Sequence, residues 1–286
     1  MFSFKSQRVG YFGAVLLLRA LLVALFAALV PSPHATTTWA PAATAAIHPG
    51  VQTFTAGGQC TANFVFADGA TVFIGQAAHC ASTANQTHTG GCDTKSLPLG
   101  THVDVTGATH PGTLVYSSWI AMQAAGEKNA EACAFNDLAL VQLDPADATH
   151  VNPSIPHWGG PTGLNTGGTS LLSFVYSYGN SELRRGLTQL SPKFGVSMGD
   201  TAGGWEHYVN TITPGIPGDS GSAFLDAQGR ALGILSTIGI SLPSGGTNGV
   251  GDVAREIDYM HSHGGPAATL VPGTEPFKGT PIPLGI

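Results

Sequence analysis

Apolar residues along this chain come in short runs bounded by Gly, Pro, Asp, Asn or Ser, the rhythm of strands and turns rather than of long helices. Residues 62–66 and 71–74 flank Asp68-Gly69, a pair that tolerates the positive φ of a tight turn and so predicts a hairpin. Further strands are predicted at 103–105, 113–116, 138–143, 171–178, 207–212, 223–225 and 231–236. With no alternation of strand and helix among them, they give an all-β fold of barrels or a sandwich. One helix is predicted late, where Val253, Ile257 and Met260 recur on one face behind an N-cap at Asp252, ending near 261–264. The Pro- and Gly-rich stretch 264–286 is expected to be extended along the surface, and the similar stretch 152–169 to connect two domains.

The first residues follow another pattern. Lys5 and Arg8 precede an apolar run over 11–30 that Arg19 interrupts, leaving an uninterrupted core at 20–30. That core suits the ~7 to 15 residues of a signal peptide and is short of the ~20 that a spanning helix needs. Export is expected, with Ala43-Thr44-Ala45 as a cleavage site and 1–46 as the leader; the alternative is an uncleaved N-terminal membrane anchor. Removing the leader from 286 residues leaves enough chain for one large all-β domain or two small ones.

Charged residues make up 10% of the chain, against ~25% in ordinary soluble domains. The 39 glycines and 19 prolines again favour strands and turns. Outside the leader there are 8 basic against 17 acidic residues, a net charge of −9. Nucleic acid and anionic membrane surfaces, which need clustered Lys and Arg, are excluded as partners by that balance. Cys60, Cys80, Cys92 and Cys133 are an even number in a chain expected to be exported, so two disulfides are predicted, with three pairings open. No C-x-x-C occurs and the spacings fit no zinc pattern, so no metal is expected.

Three motifs carry chemistry. In Gln76-Ala77-Ala78-His79-Cys80 a histidine leaves an apolar strand between small residues and a cysteine, held firmly enough to serve as a general base. In Phe135-Asn136-Asp137-Leu138-Ala139-Leu140-Val141 an aspartate enters an apolar strand, where burial is costly unless a partner such as an imidazole N–H meets it. In Pro217-Gly218-Asp219-Ser220-Gly221-Ser222-Ala223 glycines let the backbone bend so that the N–H groups of Gly218 and Ser220 converge where an oxyanion would develop. Each alone has an ordinary alternative: a structural histidine, an Asp at a strand edge, a Gly-Asp-Ser turn.

Together, in the order His, Asp, Ser, these motifs resemble those of the chymotrypsin-like (trypsin-like) serine peptidases, and the resemblance covers roughly residues 60–261. It implies two six-stranded antiparallel β-barrels with a C-terminal helix: 47–158 carrying His79 and Asp137, and 159–263 carrying Ser220. It implies a secreted endopeptidase acting on a polypeptide substrate, with Ser220 as nucleophile, His79 as base, Asp137 orienting the histidine, no cofactor, and a monomeric chain. It further implies the pairs Cys60–Cys80 and, by exclusion, Cys92–Cys133.

Departures from the family pattern sharpen the expectations. No hydrophobic tetrapeptide ending in two glycines precedes Cys60 at a suitable distance, so Asp219 needs an internal cation, for which Arg184 or Arg185 is the candidate. Ser222 replaces a usual glycine and Gln76 a common threonine. Pro214 stands six residues before the nucleophile, where enzymes that cut after Lys or Arg carry an acid. The strand Ser236-Thr237-Ile238-Gly239 resembles the segment that pairs with substrate backbone, and Ile238 occupies a position where glycine keeps the pocket open. Pro214, Ser236, Thr237 and Ile238 are therefore read as the specificity pocket, with small or medium apolar side chains preferred.

Two rivals differ in class. An α/β-hydrolase esterase would use Ser220, Asp252 and His261, but Ser222 breaks the G-x-S-x-G elbow and the strands do not alternate with helices. A chymotrypsin-fold binding protein with a pocket closed by Ile238 would retain the three residues idle. His261 and His263, two apart on a helix, do not share a face and are expected in solvent rather than on a metal.

Overall fold

The computed structural model describes residues 37–84, 90–239 and 246–279 together with Met1, so the expectations for the signal sequence and for the end of the tail lie outside the described residues. The first half of the body is organised around β4 (Thr71–Ala77), buried along nearly its whole length between β3 (Val65–Asp68) and β7 (Leu138–Gln142). Its sheet continues from β7 through β6 (Gly112–Ser117) and β5 (His102–Val105) to β1 (Gln52–Thr55) and β2 (Gly58–Thr61). β2 and β3, at opposite ends of that order, are joined by only Ala62, Asn63 and Phe64, and this link is itself bonded to β4: Asn63 N–H donates to Gly75 O and Gly75 N–H to Phe64 O. β2 and β3 are thus two segments of one bent strand, and six strands roll up around a core of Ile74, Leu114, Val141 and Trp119.

The second half is a closed six-stranded barrel in the order β10 (Glu206–Thr211), β13 (Thr247–Asp252), β12 (Ala231–Ile238), β11 (Ala223–Leu225), β8 (Phe174–Tyr178) and β9 (Pro192–Thr201). The all-β expectation holds, with the difference that the first unit is an antiparallel sheet closed through the bend rather than by a complete hydrogen-bonded ladder. The tail does more than lie on the surface, because β14 (Thr269–Leu270) pairs with β3 and buries Ala268 completely.

Three α-helices, not one, accompany the strands among the described residues. α1 (Ser118–Ala125) buries Trp119 and Met122 and stops at Gly126, whose positive φ of 66° suits glycine. α2 (Ala130–Phe135) is capped by Asn129, whose side chain accepts from Ala132 N–H at 2.8 Å. α3 (Val253–Ser262) begins as expected at Asp252, which accepts from Arg255 N–H at 2.9 Å. Val253, Ile257 and Met260 are buried in a cluster that joins Leu138 and Leu140 of the first unit to Ala223 and Ile234 of the second. Each such burial is worth about 1.5–3 kcal/mol, so this helix ties the two halves at the level of β7. No helix among the described residues is long and apolar enough to cross a membrane.

At the start of the body, Ile47 is fully buried and Ala40 N–H bonds to Val151 O. Trp39 packs on the first core as well, so residues just inside the expected leader boundary belong to the folded body.

Candidate active site

The register of β4 on β7 pairs Ala77 with Leu138. One step further, Ala78 N–H donates to Asp137 O at 2.5 Å, which brings Asp137 beside the 3-10 turn Ala78–Ala81 that carries His79. Small, buried Ala77 and Ala78 let this turn close against the neighbouring strand. The Asp137 carboxylate then takes His79 N–H on Oδ1 at 2.9 Å and His79 Nδ1 on Oδ2 at 2.7 Å. A carboxylate only accepts, so Nδ1 carries the proton and Nε2 is the basic nitrogen. Burial pulls the imidazole pKa down, but the charge and hydrogen bond of Asp137 outweigh it and hold the value above the ordinary histidine range.

Ser236 Oγ donates to the same Asp137 Oδ2 at 2.7 Å. Its hydroxyl is therefore engaged by the carboxylate beside His79. A second partner had no sequence-level expectation: Asp137 N–H donates to Oε1 of the fully buried Glu256 on α3 at 2.7 Å. Both disulfides implied by the family resemblance are formed, Cys60–Cys80 and Cys92–Cys133. The first lies against His79, with ligand atoms within 4.8 Å of one another, but sulfurs bonded to each other offer no thiolate to a metal. Cys92–Cys133 ties α2, and so the approach to Asp137, to the segment following 90.

Ser220 lies half-buried on a turn lodged between the halves. Its carbonyl accepts from Thr61 N–H at 2.9 Å, and a Cβ on Gly221 would stand 2.7 Å from Ala77 N and 2.8 Å from Thr61 O. This turn thus packs onto β2 and onto the residue two before His79. Among the described residues no hydrogen bond joins Ser220 Oγ to His79 Nε2. Gly218 adopts a φ of 93°, and its carbonyl is held by Thr61 Oγ1 at 2.8 Å and Gln59 Nε2 at 3.0 Å. With that carbonyl fixed, the N–H groups of Gly218 and Ser220 have no acceptor among the described residues.

The turn is anchored by the intervening Asp219, which is fully buried. Arg184 grips it through both terminal guanidinium nitrogens, Nη1 to Oδ1 and Nη2 to Oδ2 at 2.7 Å, while Arg185 stays exposed and makes no such pair among the described residues. Sequence reasoning missed the second cation, Lys193 on β9, whose Nζ lies 2.9 Å from Asp219 Oδ2 and donates to Pro214 O at 3.1 Å. Burial alone would raise the Asp219 pKa; hydrogen bonds and charge from Arg184 and Lys193 reverse this and hold it below the usual range.

Of the pocket candidates, Ile238 faces the backbone before the nucleophile, since a Cβ on Gly215 would stand 2.8 Å from its Cγ2. Pro214 lines an apolar hollow of about 310 Å³ with Leu183, Leu187, Leu190 and Ile216. Thr237 is half-buried on β12 beside Gly249. His261 bonds Ala268 O at 3.0 Å and His263 stacks on Tyr259, two different neighbours rather than one metal-binding set.

No family model matches the sequence, and no curated protein matches it. Solved structures do. Protease A of Thermobifida fusca superposes with a TM-score of 0.51 at 18% identity, covering 79% of this chain and 99% of that one. A Nocardiopsis protease gives 0.48 at 16% identity, over 78% and 98%, and a Cellulomonas bogoriensis chymotrypsin 0.47 at 17%, over 79% and 98%. At such identities the first of these likenesses establishes the fold, which is chymotrypsin-like.

Proposed function

We propose that this chymotrypsin-fold chain is a secreted serine endopeptidase. The observation that supports it most is the 2.7 Å bond from His79 Nδ1 to Asp137 Oδ2, in a chain whose Gly218-Asp219-Ser220-Gly221 turn packs against the strand leading to that histidine. Ser220 Oγ attacks the scissile carbonyl carbon while its proton passes to His79 Nε2. Asp137 stabilises the imidazolium, and the N–H groups of Gly218 and Ser220 receive the oxyanion, worth about 3 to 4 kcal/mol per donor. Collapse expels the amine, which takes the proton from Nε2, and water then releases the acyl group by the same sequence of transfers. Two disulfides support an oxidising, extracytoplasmic destination.

A second reading, a binding protein with a closed pocket, draws on the closeness of Ile238 to Gly215. A fluorophosphonate probe separates the two. Covalent labelling of the purified protein that disappears in Ser220→Ala is the expected result; an unlabelled wild type favours the binder.

A further inference from the structure

Glu256 is the most conspicuous titratable group that the proposed mechanism does not use. It lies in the first turn of α3, is completely buried, and no cation pairs with it among the described residues. Its Oε1 accepts Asp137 N–H at 2.7 Å, at the residue where the chain leaves α2 and enters β7. That N–H has no ladder partner, so without Glu256 it would be a buried orphan donor.

The seat of this carboxyl group is built from the backbone around it. A Cβ on Gly251 would stand 2.8 Å from Glu256 Oε1 and 2.6 Å from Phe135 O, so only glycine leaves room for both. Asp137 is consequently held from two sides. Its carboxylate is fixed by His79 and Ser236 and its backbone by a helix that belongs to the second half of the molecule.

We propose that Glu256 is a positioning residue for the His79–Asp137 pair, fixing the Asp137 backbone through its side-chain oxygen so that the carboxylate meets the imidazole in one geometry. This rests on the peptidase reading above and adds a residue to it. The groups facing Glu256 are Asp137 at the start of β7, Tyr116 on β6 and, on its own helix, the capping Asp252, which in turn lies 3.1 Å from His207 on β10. Burial first, then the charges of Asp137 and Asp252, push the Glu256 pKa well above the carboxylate range. Among the described residues Oε2 and the Tyr116 hydroxyl have no partner, which leaves Oε1 as the atom that acts.

The test is the rate of fluorophosphonate labelling, followed from acid to alkaline pH and against probe concentration. Glu256→Gln retains the side-chain oxygen that accepts the Asp137 N–H, and is expected to label at nearly the wild-type rate with an unchanged acid limb. Glu256→Leu removes the acceptor and is expected to lower the maximal labelling rate by about 10- to 100-fold at an unchanged half-saturating concentration, the scale of loss for a misplaced catalytic group. Glu256→Asp keeps the acid but shortens its reach, should slow labelling likewise, and carries the test if the Leu variant does not fold. Leu or Asp variants that label like wild type, or a Gln variant whose acid limb moves, overturn the inference while leaving the peptidase reading intact. A wild type that does not label at all overturns the reading beneath it instead.

Discussion

Lys193 Nζ lies 2.9 Å from Asp219 Oδ2, with both side chains wholly buried, and Arg184 occupies the other side of the same carboxylate. One anion therefore faces two cations next to the turn that carries Ser220. Asp219→Ala strands both cations and is expected to cost about 3–5 kcal/mol, the penalty for breaking a buried pair from one side. Lys193→Met leaves the two-pronged Arg184 contact in place and should cost less. Urea denaturation of the two variants checks the ranking, and equal losses would mean that Lys193 carries the carboxylate on its own.

The raised pKa of His79 bears on how the proposed chemistry responds to pH. The base must be neutral to accept the Ser220 proton, and Asp137 holds its pKa above the ordinary histidine value of 6.5. Labelling should therefore decline on the acid side of a midpoint above 6.5 rather than at it. Asp137→Asn removes the charge and offers the wrong hydrogen-bond partner to Nδ1, so the rate should fall by about 10⁴-fold. A midpoint at or below the ordinary histidine value would show that Asp137 does not govern the imidazole.

The candidate side chains at 79, 137 and 220 stand out in the sequence because each sits in a local pattern with a chemical rationale. Their supports could not be read as easily. The basic pair at 184 and 185 was recognisable, but which member turned inward depends on the left-handed conformation that Arg185 adopts at the end of its 3-10 turn. Lys193 has no local signal beyond being a lone cation between Pro192 and Phe194 in a strand. Glu256 did leave one: it follows Val253 by three and precedes Met260 by four, so it shares the apolar face of α3, where an acid needs a reason. The short helices α1 and α2 escaped because a two-turn segment offers too few positions to distinguish a 3.6 period from a strand.

His207 supplies a second pH dependence, of stability rather than rate. Fully buried on β10, it lies 2.7 Å from Asp200 and 3.1 Å from Asp252, the cap of α3. Burial works to lower its pKa, but the hydrogen bonds and charges of the two aspartates raise it overall. A raised folded-state pKa means that the stabilisation is fully present below the unfolded value of ~6.5 and fades as pH rises through the folded value. The stability gap between wild type and His207→Gln should accordingly be wider at acid pH than at alkaline pH. Denaturation midpoints at two pH values test this, and a gap that widens with alkalinity would reverse the assignment.

Specificity offers the last test, on Ile238. In the proposed enzyme the substrate side chain enters between the segment around Gly215 and the strand bearing Ile238, and these two are close enough that a Cβ at 215 would come within 2.8 Å of Ile238 Cγ2. Asn248 Oδ1, which accepts Gly215 N–H at 3.0 Å, further narrows that space. In that reading the space left is expected to admit small or medium apolar groups, and no acid stands at Pro214 to attract Lys or Arg. Ile238→Gly removes the side chain without touching Asp137, His79 or Ser220. Peptide-library profiling should then show preference moving toward larger apolar or aromatic residues, on the scale of about 1–3 kcal/mol per methylene-sized change in the pocket. Unchanged cleavage preferences in the variant would put the pocket elsewhere, and dominant cleavage after Arg by the wild type would remove the apolar assignment altogether.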